Sequence, residues 1–275
     1  MTTTFRFVSY RDFKRTLGKI NAVVECAELA TRKFIHEAEH APNRNEFVQR
    51  VSSEFKVRVD ALDVTLLKRQ IGQFHIASVH QEFEGFLKDV ARELRGELVQ
   101  RSEGESLLKS TLLSLIGGYD KAVKAVGRFE VDVAEYYRLV RNGFAHAGAE
   151  GAAKKDLDGL RKLVEKQGDS FARLNAPNTY SAIEFDDFIL FTRVVKQLAN
   201  NLCQVARPTD QEIVQMVIRL NEMGNYNVNF RKLVGQNPTP ARLRRALAGL
   251  LRTLYSLQES ESTPVIELLM SGPLA

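Results

Sequence analysis

Apolar residues recur at the three-to-four-residue spacing of helices along nearly the whole chain. Phe13, Leu17, Ile20, Val24, Ala27 and Phe34 mark one face of a first long helix, and the run Ala41-Pro42-Asn43-Arg44-Asn45 breaks it. Phe55 to Val59 is a short β-branched run that reads as a strand or as part of a loop. A second helix begins near Leu62, with Gly72 as a kink or a divide. Val79, Phe83, Phe86, Val90 and Leu94 carry its stripe to about residue 97. Leu112, Leu115, Tyr119, Val123 and Val126 mark another helix. Phe129, Val133, Tyr136 and Val140 mark the next, which delivers Arg141. Residues 147–182 are less regular and read as a short helix with a loop. A strong helix resumes at Glu184, with Phe188, Phe191, Val195, Leu198, Leu202 and Val205 on its apolar face, and Pro208 closes it. The pattern predicts an all-α protein, with a helical bundle over residues 1–205 and a helical C-terminal extension over 206–275.

Charge sets the extension apart. The chain has 39 Lys and Arg against 34 Asp and Glu, a net charge of +5. Between Met223 and Gln258 there is no acidic residue, while Arg231, Lys232, Arg242, Arg244, Arg245 and Arg252 fall within that stretch. These six are candidate contacts to a nucleic-acid backbone, with a solvated basic surface as the plain alternative. Leu243, Leu247, Leu250 and Leu254 give the last long helix its apolar face, and Arg242 and Arg245 lie near each other on the wheel. A helix-turn-helix-like arrangement over Asp210 to Tyr255 has only weak turn signals. Aromatic residues are sparse there, so base stacking has little support.

Other classes of function have little to build on. No apolar run approaches the ~18 residues of a membrane span, and the first residues lack the apolar core of a signal peptide. A cytoplasmic protein without a membrane partner is expected. Cys26 and Cys203 lie in apolar-periodic segments and read as buried thiols in a reducing compartment. His36 and His40 have i,i+4 spacing but no accompanying His-Glu-x-x-His pattern, and read as surface or helix-end residues. No metal site and no cofactor are expected. Gly117-Gly118 lacks the spacing and lysine of a phosphate loop.

The compact polar cluster is Arg141-Asn142-Gly143-Phe144-Ala145-His146-Ala147-Gly148. A guanidinium holds a phosphate through two parallel hydrogen bonds, and an imidazole moves a proton near neutral pH. Five residues of ideal helix turn a side chain by roughly 500°, about 140° net, so Arg141 and His146 share no face of a regular helix. Gly143 and Gly148 would allow a bend that aims both into one cavity, with Phe144 and Ala145 anchoring the turn in the core. Asn142 adds a supporting polar group that orients the histidine or contacts phosphate. The alternative is structural, with Arg141 and His146 meeting carbonyls at a helix end. Tyr136 and Tyr137 read as core or dimer packing. Asp132 and Glu135 are placed to pair with Arg138 or Arg141.

The segment "LVRNGFAHAG", with an arginine, a following polar residue and a histidine five positions on, resembles the motif of HEPN domains. These are helical domains named after higher eukaryotes and prokaryotes nucleotide-binding proteins. The segment from Ser78 to Leu94 resembles the earlier long helix of such domains, and the likeness extends over residues 8–205. Many members are ribonucleases. The resemblance implies a bundle that dimerises so that two motifs face one cleft, with Arg141 and His146 as catalytic residues. It implies RNA as partner, a homodimer, and a regulatory protein or antitoxin in a defence or toxin–antitoxin setting. Some related toxins carry a tyrosine two residues after the motif histidine, where a partner enzyme modifies it. This chain has Gly148 there. Two other readings stand beside the nuclease: a non-catalytic HEPN module that binds nucleic acid or senses a ligand, and a helical scaffold or antitoxin-like interaction protein.

Overall fold

A computed structural model of the chain describes residues 4–97, 105–145, 157–168, 171, 173–224, 228–234 and 239–272. Among these it is all-helical, with no strand. The helices are α1 (Val8–His40), α2 (Arg44–Phe55), α3 (Val64–Arg95), α4 (Leu107–Ile116), α5 (Tyr119–Val126) and α6 (Arg128–Ala145). They continue with α7 (Leu157–Glu165), α8 (Phe185–Val205), α9 (Asp210–Glu222), α10 (Phe230–Val234), α11 (Pro240–Tyr255) and α12 (Glu259–Ser271). The helical C-terminal extension is therefore α9 to α12.

Several boundaries follow from local chemistry. The Asn43 side chain accepts the amides of Asn45 and Glu46 and so starts α2 at Arg44, inside the predicted break. Thr209 and Glu212 form a reciprocal capping box at the head of α9. Residues 112–126 are two helices rather than one, because Gly117 and Gly118 both take positive φ, 73° and 79°, between α4 and α5. The run Phe55 to Val59 is the end of α2 and a loop. Gly72 does not divide α3, which runs on from Val64 to Arg95. A Cβ there would stand 2.7 Å from the Ile183 carbonyl oxygen, so its role is close approach between backbones.

The chain forms two compact units. The first comprises residues Met1–Lys14, Glu84–Arg128 and Lys196–Ala275; the second comprises Arg15–Phe83 and Phe129–Val195. The boundaries fall inside α1, α3 and α8 and at the start of α6.

In the first unit the segment ahead of α1 is held by the C-terminal extension. Phe5 stacks on Tyr255 at 5.6 Å, and the Arg6 amide donates to the Tyr255 carbonyl at 2.9 Å. The Thr4 hydroxyl bonds Glu261 and the Ser256 carbonyl. The Glu93 carboxylate accepts the Val8 and Ser9 amides, both at 2.9 Å, and so caps α1. Arg219 of α9 donates to the Glu93 and Leu94 carbonyls at the end of α3. Within the extension α12 packs on both α11, its neighbour in sequence, and α9, from which α10 and α11 separate it along the chain. The buried stripe of α11 is Leu247, Leu251, Leu254 and Tyr255, while Leu243 and Leu250 are half-buried. This stripe is rotated from the predicted one, because the extension closes over α12, which the apolar periodicity does not announce.

In the second unit Asp187 is the central polar group. It sits in the first turn of α8 and its carboxylate accepts four hydrogen bonds. They come from the Tyr137 hydroxyl at 2.8 Å, the Asn178 amide at 2.8 Å, the Asn178 side chain at 2.9 Å and the Glu184 amide at 2.9 Å. Burial pushes the Asp187 carboxyl up, against these donors, which favour the carboxylate. The apolar shell around it includes Tyr137 against Phe191 at 4.9 Å and His75 against Phe188 at 5.6 Å.

Candidate functional site

The α6 helix presents the arginine of the motif, and its register is fixed from behind. Phe129, Val133, Tyr136, Tyr137 and Val140 are all buried. The Tyr136 hydroxyl donates to the Asn178 carbonyl, and the Tyr137 hydroxyl donates to Asp187. Burial, with the Asp187 charge added, pushes both phenols above their ordinary range. Both tyrosines are therefore neutral donors that lock the rotation of α6. Arg141 follows Tyr137 by four residues, one turn along the same side of the helix. The expected core packing of Tyr136 and Tyr137 is met, and Glu135 pairs with Arg138 at 2.7 Å.

Arg141 and Asn142 are half-buried, and Arg141 Nη1 donates to Asn142 Oδ1 at 3.0 Å. That contact uses one edge of a planar fork that carries five donors. The α6 helix runs unbroken through Gly143, which is buried, to Ala145. The expected turn at Gly143 is replaced by regular helix, because a buried glycine on the packed side of α6 costs only a modest propensity and leaves the hydrogen-bond ladder intact. Ala145 is exposed rather than a core anchor. Phe144 is half-buried, set edge-on to Phe74 of α3 at 4.9 Å. His146, the second catalytic candidate, and Gly148 lie outside the described residues.

Phe74 was not singled out by periodicity, yet it is 57% exposed while its neighbours Gln73, His75 and Ile76 are buried. An apolar residue on the polar side of a helix is the only signal the sequence carries for it. The α3 turn from Gly72 to Ile76 is pinned by Gln73, which donates to the Tyr180 carbonyl at 3.2 Å, and by the His75–Phe188 contact. Phe74 therefore stands on a rigid turn.

The basic candidates of the extension separate into different classes. Lys232 on α10 is exposed, and the Arg231 side chain lies outside those described. Arg244 is paired with Glu267 of α12, with a second contact at 3.2 Å. Arg242, Arg245 and Arg252 are exposed and form no ion pair among the described residues.

The remaining histidines and cysteines are accounted for without chemistry. His36 and His40 are exposed and stack at 4.1 Å, and His40 Nδ1 meets the His36 carbonyl at 2.8 Å at the end of α1. His75 and His80 are buried. Cys26 is exposed, contrary to the expectation of two buried thiols, because it lies off the buried stripe of Phe13, Leu17 and Val24, on the side of α1 that also carries the exposed Val23 and Leu29. Cys203 is buried, and burial pushes its thiol up to about 12. Among the described residues no group of three or more His, Cys, Asp or Glu could hold a metal ion. No helix among them is long and apolar enough to cross a membrane.

Comparison with family models, with curated proteins and with solved structures finds no match to this chain.

Proposed function

We propose that this chain is an endoribonuclease of the HEPN type that cleaves RNA without a metal ion, at a site shared by two copies. The observation that carries the reading is the Arg141–Asn142 pair at the end of a long, rigidly seated helix, with His146 immediately beyond it. In this reading His146 of one copy takes the proton of a 2′-hydroxyl. The 2′-oxygen attacks phosphorus, the bond from phosphorus to the 5′-oxygen breaks, and His146 of the second copy gives its proton to the departing oxygen. The two Arg141 guanidinium groups stabilise the charge that builds on the non-bridging oxygens. Two imidazoles are needed because one cannot be base and acid at the same instant. The products are a 2′,3′-cyclic phosphate and a 5′-hydroxyl. A cytoplasmic setting in antiviral defence or beside an antitoxin suits the resemblance.

The test is cleavage of single-stranded and structured RNA in EDTA, with the product termini identified by mass spectrometry. Wild type is expected to yield cyclic phosphate termini, and a substrate with a 2′-deoxy sugar at the cleaved linkage is expected to stay intact. Equal activity in wild type and His146→Ala rejects the assignment. A non-catalytic binding module, the second reading, predicts RNA binding with no cleavage by either protein.

A further inference from the structure

Arg242, Arg245 and Arg252 fall within about 80° of one another on α11 and span about 15 Å along its axis. The buried stripe of Leu247, Leu251, Leu254 and Tyr255 lies roughly opposite. Between the arginines, on the same exposed face, stand Ala246, Gly249 and Thr253. None of these is bulky enough to hold a neighbouring chain off the guanidinium groups, and a Cβ at Gly249 would meet nothing within 4 Å. Arg11, from the first turns of α1, reaches the same end of α11: its Nη1 donates to the Thr253 carbonyl, and it too is exposed. Sequence separation hides this fourth arginine. Arg244, one position from Arg245, points to another side and is engaged by Glu267.

We propose that Arg242, Arg245, Arg252 and Arg11 form a surface that binds the phosphodiester backbone of a nucleic acid. The row has the attributes such contact needs. It carries closely spaced cations, fork-shaped donors suited to phosphate oxygens, small residues between them, and no carboxylate on α11 itself. The binding is insensitive to base sequence, because contacts to phosphate oxygens carry no base information, and no exposed aromatic ring stands on this face of α11 to add stacking. It is independent of the chemistry proposed for Arg141 and His146.

The test uses the full chain carrying His146→Ala, so that the probe stays intact, and a fluorescent single-stranded oligoribonucleotide. Anisotropy is followed over a range of salt concentrations. Four phosphate contacts predict a slope of log K against log salt of about −3. Arg245→Gln or Arg252→Gln is expected to flatten the slope by roughly 0.7 each, while Arg245→Lys retains it. Arg244→Gln serves as the internal control and leaves both slope and affinity unchanged. The proposal is overturned if Arg244→Gln weakens binding as much as Arg245→Gln, or if the four-fold Gln variant binds like the parent. It is also overturned if polyglutamate or phosphatidylserine vesicles compete as well as RNA per unit charge, which would mark a docking site for an acidic protein or a membrane. Should wild type cleave no RNA while the arginine slope holds, the nuclease reading falls and this surface stands.

Discussion

The ends of α6 and of α11 both display arginine, but they do so by opposite means. On α6 Arg141 stands near the end of a helix whose rotation is set by two buried tyrosines and by Asp187. On α11 three arginines project from an exposed face that carries no matching carboxylate, and among the described residues only Arg244, off that face, is neutralised. A reaction needs one group held to within a fraction of an ångström, whereas attraction to a polyanion needs charge density and tolerates motion. Changes behind α6 should therefore matter as much as changes in front of it. Changes to α11 should matter only through the charge removed.

The largest effect is expected at the motif itself: Arg141→Ala and His146→Ala should each lower the cleavage rate at least about 100-fold. Urea melts should show both variants as stable as wild type. Next comes Asp187→Ala, which strands the Tyr137 hydroxyl and the Asn178 and Glu184 amides. It should cost about 2–4 kcal/mol in urea unfolding and reduce cleavage as well. Tyr137→Phe should cost about 1 kcal/mol. Arg252→Gln, by contrast, should change stability by less than about 0.5 kcal/mol. A melt in which Asp187→Ala and Arg252→Gln behave alike would erase the contrast between the two helices.

Smaller effects follow from titration. The folded pKa of Tyr137 lies above its unfolded value, so the stability it contributes is complete below about pH 10. That contribution is lost as pH rises toward the folded value. His75 is shifted the other way by burial, so its contribution is complete above about pH 6.5 and is lost as pH falls. Thermal melts from pH 5 to 11 should decline at both ends, and His75→Gln should soften the acid decline. The smallest perturbation is chemical: a thiol reagent should label Cys26 in the native chain and reach Cys203 only after unfolding. Labelling of both thiols at the same rate would contradict the packing of Cys203.

Helical periodicity made most elements legible, because each buries one stripe of its own residues. It set the break after α1, the stripe of Val79, Phe83, Phe86 and Val90, and the course of α8. It ran through Gly117-Gly118 as though the helix continued, because a turn made by positive φ leaves the apolar spacing almost undisturbed. On α11 it found Leu247 and Leu254 but chose Leu243 and Leu250 where Leu251 and Tyr255 are buried, since that face is set by α12 and by Phe5, which is distant in sequence from its partner Tyr255. The same limit applies to the sites. Arg141 and Asn142 stand out because their chemistry is local. Asp187 and Arg11 do not, because each acquires its meaning from a residue many positions away. The bend expected at Gly143 came from treating glycine as a breaker, where packing keeps it helical.

A reaction site shared by two copies would be exposed by subunit mixing. Wild type and His146→Ala chains would be denatured together, refolded at set ratios, and assayed for RNA cleavage in EDTA. If both imidazoles serve one linkage, only pairs of wild-type chains are active, and an equal mixture retains about one quarter of the wild-type rate. Retention of about one half, in proportion to the wild-type chains present, would mean that each chain works alone and that no site is shared.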